Sequence, residues 1–136
     1  MEDRFERGRR RLAEVDGEAG AAVIAGLADI APDLGRYVVE FAFGDVYSRP
    51  GLSLRDRQIA TVAALTALGT AQPQLRVHIG AALNVGMTRE EIVEVITQMA
   101  VYAGFPAALN GIAAARDVFA ATPDAGEPPT ADPREA

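Results

Sequence analysis

Cysteine is absent from the 136-residue chain. That excludes disulfides, thiol redox chemistry, iron–sulfur clusters and thiolate zinc sites in one step. Tryptophan is absent as well, histidine occurs once, at His78, and serine occurs only at Ser48 and Ser53. A lone histidine without cysteine cannot supply the several nitrogen or sulfur ligands a transition metal wants, which argues against a metal centre. Neither serine sits in a GxSxG turn, and no glycine-rich phosphate loop joins a strand to a helix. No apolar run approaches the ~20 residues of a bilayer span, and the N-terminus lacks the apolar core of a signal peptide. The net charge of −6 argues against a nucleic-acid partner, because phosphate binding draws its affinity from a basic patch. The expectation is a soluble cytoplasmic protein, with no membrane or nucleic-acid partner.

What is present is apolar and helical. At 49% hydrophobic content the chain can bury the core of one ordinary domain. Its arginine-rich start (Arg4, Arg7, Arg9, Arg10, Arg11) is interleaved with acidic residues and reads as a solvated helix face. With few apolar residues between 3 and 15, this helix is expected to lie over the surface or against another subunit. Gly17 and Gly20 punctuate it, and residues 21–30 carry Val23, Ile24, Leu27 and Ile30 at helical spacing. Pro32 opens a helix over 33–47 that is expected to bury Leu34, Val38, Phe41 and Ala42. Ser48 to Gly51 is a turn. Ser53 with Asp56 is a near match to a capping box and starts a helix that is apolar on nearly every side. A helix over 72–85 with Pro73 in its first turn, a full capping box at 88–91, and a last helix from Pro106 to about Ala121 complete the pattern. Valine and isoleucine recur at three and four, not at two, so the fold class is an all-α helical bundle. The domain is placed at 1–122. Residues 123–136, rich in Pro, Asp, Glu and Ala without apolar periodicity, are expected to be a disordered tail.

Chemistry concentrates between 43 and 110. His78 shares a helix with the apolar positions Leu75, Ile79, Ala82 and Leu83, so its ring points at or beside the buried face. A packed core histidine and a functional one fit this placement equally well. Glu94, Gln98 and Tyr102 fall at i, i+4 and i+8, a polar stripe that either faces water or borders a site. The apolar turn AGFP after Tyr102 suggests that its phenol is enclosed. Arg57 and Thr61 form a polar pair on the most apolar helix. Arg57 either snorkels to solvent or holds a carboxylate by a two-point contact. Acid–base or electrostatic chemistry on a small, anionic organic molecule is what remains.

The blocks FGDVYSRPGLSLRDR, ALTALG, LRVHIGAALNVGMTREEIVEVI and YAGFPAALN resemble the carboxymuconolactone decarboxylase family, with 43–122 as the family core. The resemblance rests on the RPGL turn, Arg57, the histidine in H-x-x-x-A, the NxGxTxEEIxE segment and the YAGxPAA turn together. It implies an all-α bundle that associates into trimers or hexamers. Peroxidase-type members of the superfamily use C-x-x-C-x-x-x-H; aligned on His78, those cysteines are Ala71 and Gln74 here, so the chain is not a cysteine peroxidase. Phe43 and Tyr47 also stand where decarboxylases tend to carry tryptophan.

The type reaction is loss of carbon dioxide from a carboxylated lactone. It needs no cofactor, because the unsaturated lactone takes up the electron pair itself. The protein must supply a cationic clamp, donors at the developing oxyanion and a general acid. By resemblance, His78 is the candidate acid or oxyanion donor, with Glu94 and Tyr102 as partners that orient it or donate to substrate. Arg49 and Arg57 are candidates for carboxylate binding. Another proton-transfer or ring-opening reaction on a similar compound, and a non-catalytic oligomeric binding protein with His78 packed, stay open.

Overall fold

The computed structural model describes residues 1–123, and the C-terminal stretch read from sequence as disordered lies outside them apart from Pro123. The described chain is helical, with no strand: α1 (Arg4–Ala25), α2 (Pro32–Tyr37) running into a π-helix (Val38–Val46), α3 (Leu54–Leu68), α4 (Gln72–Asn84), α5 (Arg89–Ala103) and α6 (Phe105–Ala121). None of these helices is long and apolar enough to cross a membrane. The sequence signals for the last four helices hold closely. The Ser53 side chain caps α3 by accepting from the Asp56 backbone N–H, and Thr88 and Glu91 close a reciprocal capping box at the start of α5.

Helices α3 to α6 pack around one apolar cluster. Val62 of α3, Ile79 of α4, and Ile92 and Ile96 of α5 are fully buried there, with Ala114 and Ala115 of α6 against them. Ile79, Ile92 and Ile96 are positions that the helical spacing marks. A second cluster joins Leu12 and Val15 of α1 to Val39 and Phe43 of the π-helix and to Ala81 of α4. Helix α4 therefore borders both clusters: Ile79 and Ala82 face one, Ala81 the other.

The N-terminal part departs from the sequence reading in three ways. First, α1 is no surface strap, because Leu12 and Val15 are core residues. Its many charges do not face water alone. Arg4 reaches Asp45 at 2.5 Å and Glu40 at 3.5 Å, while Arg7 donates from Nε to the Gly44 carbonyl at 2.7 Å. Second, although the helix breaks at Gly17 as the sequence marks, where a φ of +57° and ψ of −139° suit a residue without Cβ, the segment that follows runs through a buried Gly20 and ends at Ala25 rather than Ile30. The Val15 carbonyl beside this bend accepts from Asn84 Nδ2 at 3.3 Å.

Third, the π-helix changes which residues face inward. Leu34 and Phe41 are 53% and 63% exposed, and Val39 and Phe43 are buried instead; Val38 and Ala42 pack against the cluster as expected. A π-turn holds one more residue than an α-turn, so a 3.6-residue pattern laid across it slips off the true inner face. Its last turn, Tyr47 N–H to Ala42 carbonyl, sets Tyr47 over Phe43 with ring centroids 5.1 Å apart.

Candidate active site

Helix α3 presents Gln58, Val62 and Thr66 on its inner face at helical spacing, all of them fully buried. Thr66 satisfies its own hydroxyl by donating to the Val62 carbonyl at 2.7 Å. Gln58 cannot do so. A buried amide left unpaired costs about 1–3 kcal/mol, and this one finds its partners on two other elements. Its Oε1 lies 3.2 Å from Nδ1 of His78 on α4, and its Nε2 donates to Tyr47 Oη at 3.3 Å. Tyr47 Oη lies 2.6 Å from Thr61 Oγ1, and Thr61 Oγ1 donates to the Arg57 carbonyl at 2.8 Å. A continuous run of hydrogen bonds thus joins α4, α3 and the end of the π-helix, across the seam between the two clusters.

His78 is half-buried at one end of this run. Burial holds its imidazole below the usual histidine range, so the ring is neutral in the free protein at neutral pH. Arg57 precedes Gln58 on α3. Its terminal nitrogen donates to the Arg49 carbonyl at 3.0 Å, whereas its Nε is buried without a hydrogen-bond partner. Among the described residues no carboxylate lies within ion-pair distance of Arg57, although Arg55 two residues earlier pairs with Glu91 and Asp56. A buried guanidinium N–H without an acceptor is a ready position for an anionic ligand.

The residues singled out from sequence divide into two groups. His78 and Arg57 stand at the two ends of the polar run, and Arg49 joins them through its backbone carbonyl while its side chain is exposed. Glu94 and Tyr102 are not brought to this run. Glu94, Gln98 and Tyr102 are all exposed along α5, Tyr102 by 78%, so the turn that follows does not enclose its phenol within the chain. The AGFP turn leaves Phe105 itself 74% exposed, so among the described residues the turn lies open and does not cover the phenol.

Gln58 and Tyr47 were not singled out as site residues from the sequence. The signal for Gln58 was available: it is a full-length amide four residues before Val62, on the inner face of the most apolar helix. Tyr47 gave only its place where decarboxylases tend to carry tryptophan, and its direction depends on the π-turn. A surface groove of about 800 Å³ between the two halves of α1 and the π-helix has Phe5, Leu12, Ile24 and Val39 in its wall and includes neither His78 nor Arg57. The polar run, not this groove, marks the candidate site.

The sequence model of the carboxymuconolactone decarboxylase family matches residues 32–117, a span that contains the whole polar run. A 4-carboxymuconolactone decarboxylase of Acinetobacter baylyi is 37% identical over 119 residues, covering 87% of this chain and 88% of that protein. An uncharacterized 15.0 kDa protein of Paracoccus denitrificans is 36% identical over 92 residues, covering 67% of this chain and 69% of that one. A nitrosuccinic acid decarboxylase of Metarhizium robertsii is 31% identical over 90 residues, covering 66% of this chain and 62% of that protein.

Proposed function

Since the chain belongs to the carboxymuconolactone decarboxylase family, we propose that it is a cofactor-free decarboxylase of a small carboxylated lactone such as carboxymuconolactone, with His78 transferring the proton and Arg57 holding a carboxylate. The observation that carries this reading is the unpartnered, buried Nε–H of Arg57, one residue from the amide that holds His78. The chain has no lysine, so arginine is the cation available to a carboxylate. The named activities of the Acinetobacter and Metarhizium proteins, both decarboxylases of small acids, support the same reaction type.

In this reading the bond between the ring carbon and its carboxylate breaks and carbon dioxide leaves. The electron pair passes through the ring double bond into the lactone carbonyl, and the resulting enolate takes a proton on carbon. His78 is neutral before substrate arrives. An anionic substrate beside it favours the charged imidazole, so the ligand itself draws onto the ring the proton that the enolate later receives. The alternatives of another proton-transfer reaction or a purely binding role have no observation of their own in their favour.

Association into trimers or hexamers is part of the proposal. Leu68, Val101, Tyr102, Phe105 and Leu109 are all more than half exposed at the C-terminal ends of α3 and α5 and the start of α6, three elements that pack together. Apolar exposure of this kind is what a neighbouring chain would cover. Tyr102 and Glu94 then belong to contacts with a neighbour rather than to the His78 run.

The test is turnover of purified protein on carboxymuconolactone, followed by carbon dioxide release. His78→Gln is expected to lower kcat by about 10²- to 10⁴-fold, and Arg57→Gln to act mainly by raising KM. Full turnover by folded His78→Gln removes the proposed chemistry.

A further inference from the structure

The hydrogen bonds that end on His78 have a direction, and that direction can be worked out from the far end. The Arg57 backbone carbonyl can only accept. At 2.8 Å from it, Thr61 Oγ1 must donate its single proton there. Thr61 Oγ1 then has lone pairs alone to offer Tyr47, so at 2.6 Å the Tyr47 phenol is the donor. With its proton committed, Tyr47 Oη accepts from Gln58, which requires the amide nitrogen of Gln58 on that side, 3.3 Å away. The amide oxygen is thereby turned to His78, 3.2 Å from Nδ1, and an amide oxygen can only accept. Each step follows from the donor inventory of the group before it, independently of how the amide is drawn or which tautomer the imidazole is given.

We propose that Thr61, Tyr47 and Gln58 are positioning residues that, anchored on the Arg57 carbonyl, hold a proton on Nδ1 of His78 and leave Nε2 as the one ring nitrogen that exchanges a proton. The inference rests on the preceding reading for its use in catalysis, but not for its geometry. Donation from Nδ1 to an amide oxygen suits both the neutral and the charged ring. The imidazole can therefore gain and lose its proton at Nε2 without any rearrangement of the buried network. A carboxylate in place of Gln58 would lock the ring in its charged form more strongly. The neutral amide fixes the tautomer and leaves protonation to the substrate's charge. The arrangement also explains why a threonine and a tyrosine are held inside an otherwise apolar seam: each hydroxyl both donates and accepts, which neither valine nor phenylalanine can do.

Because His78 is the sole histidine, nitrogen-15 NMR of the labelled protein reads its two ring nitrogens without assignment ambiguity. Above the imidazole titration, the wild-type protein is expected to show Nδ1 protonated and Nε2 bare. Thr61→Val and Tyr47→Phe release the direction of the run and are expected to shift the ring toward a mixture or toward Nε2–H, whereas Thr61→Ser restores the wild-type pattern. With carboxymuconolactone, Thr61→Val is expected to lower kcat by at least about tenfold with KM little changed. A wild-type ring protonated on Nε2 overturns the inference, and that measurement needs no variant to fold. An unchanged tautomer in folded Thr61→Val overturns it as well. If the tautomer is as expected but no lactone is decarboxylated, the substrate reading fails and the assignment of Nδ1 stands.

Discussion

Two ways of holding helices together meet in this protein. Around α3 to α6, branched and small side chains fill a shared apolar cluster, and the helix ends are closed by caps written plainly into the sequence. Between α1 and the π-helix, backbones approach directly. A Cβ on Gly8 would run into the Val39 carbonyl, and one on Gly44 into that of Arg4. Charged groups seal that junction, with Arg4 and Arg7 shared among Glu40, Asp45 and the Gly44 carbonyl. The first region is stabilised by side-chain volume. The second depends on the lack of it. His78 lies on α4, the helix bordering both, and its polar run crosses from one to the other through Tyr47.

The contrast can be broken at either end. The largest loss is expected from Ile96→Ala, which empties a fully buried position in the C-terminal cluster and should cost about 4 kcal/mol in denaturant unfolding. A cost under about 1 kcal/mol would mean that the cluster relaxes around the hole and is not the close-packed region described. Gly44→Ala is expected to cost about 2–3 kcal/mol, by forcing α1 away from the π-helix. Hydrogen exchange separates the two effects: Gly44→Ala should speed exchange in α1 and the π-helix while α5 and α6 keep their protection. Equal acceleration throughout would show one cooperative unit and end the comparison.

An effect spread over a pH range sharpens it. Asp16, beside the Gly17 bend, is 7% exposed, with Oδ1 lacking a hydrogen-bond partner. Burial raises its carboxyl from 3.8 to about 6. The folded protein therefore binds this proton more tightly than the unfolded chain. Stability from this group is full below its unfolded pKa, falls as pH rises between the two values and stays lower above them. The loss is on the order of 3 kcal/mol. Asp16→Asn should flatten that part of the stability profile relative to wild type and gain most above pH 6. Parallel profiles for the two proteins would show that Asp16 finds a partner in solution.

The last four helices were legible because each local signal agreed with the packing: caps at Ser53 and Thr88, prolines in first turns, and isoleucines spaced for one face. His78 and Arg57 were legible as polar residues beside apolar faces. Leu34 and Phe41 were misplaced for a definite reason, since a periodicity of 3.6 carries no information about a π-turn. The enclosure expected for Tyr102 is not met among the described residues, because an apolar turn in the sequence does not say whether the chain closes over it.

The sequence by itself determined the helical class, the family resemblance and the two candidate side chains, because spacing, caps and residue chemistry are local properties. Only the tertiary structure decided that α1 joins the core, that Tyr47 reaches Thr61 and Gln58, and which nitrogen of His78 faces an acceptor. Those depend on the register between elements distant in the chain. A hydrogen-bond direction in particular exists only once every donor has been given its acceptor.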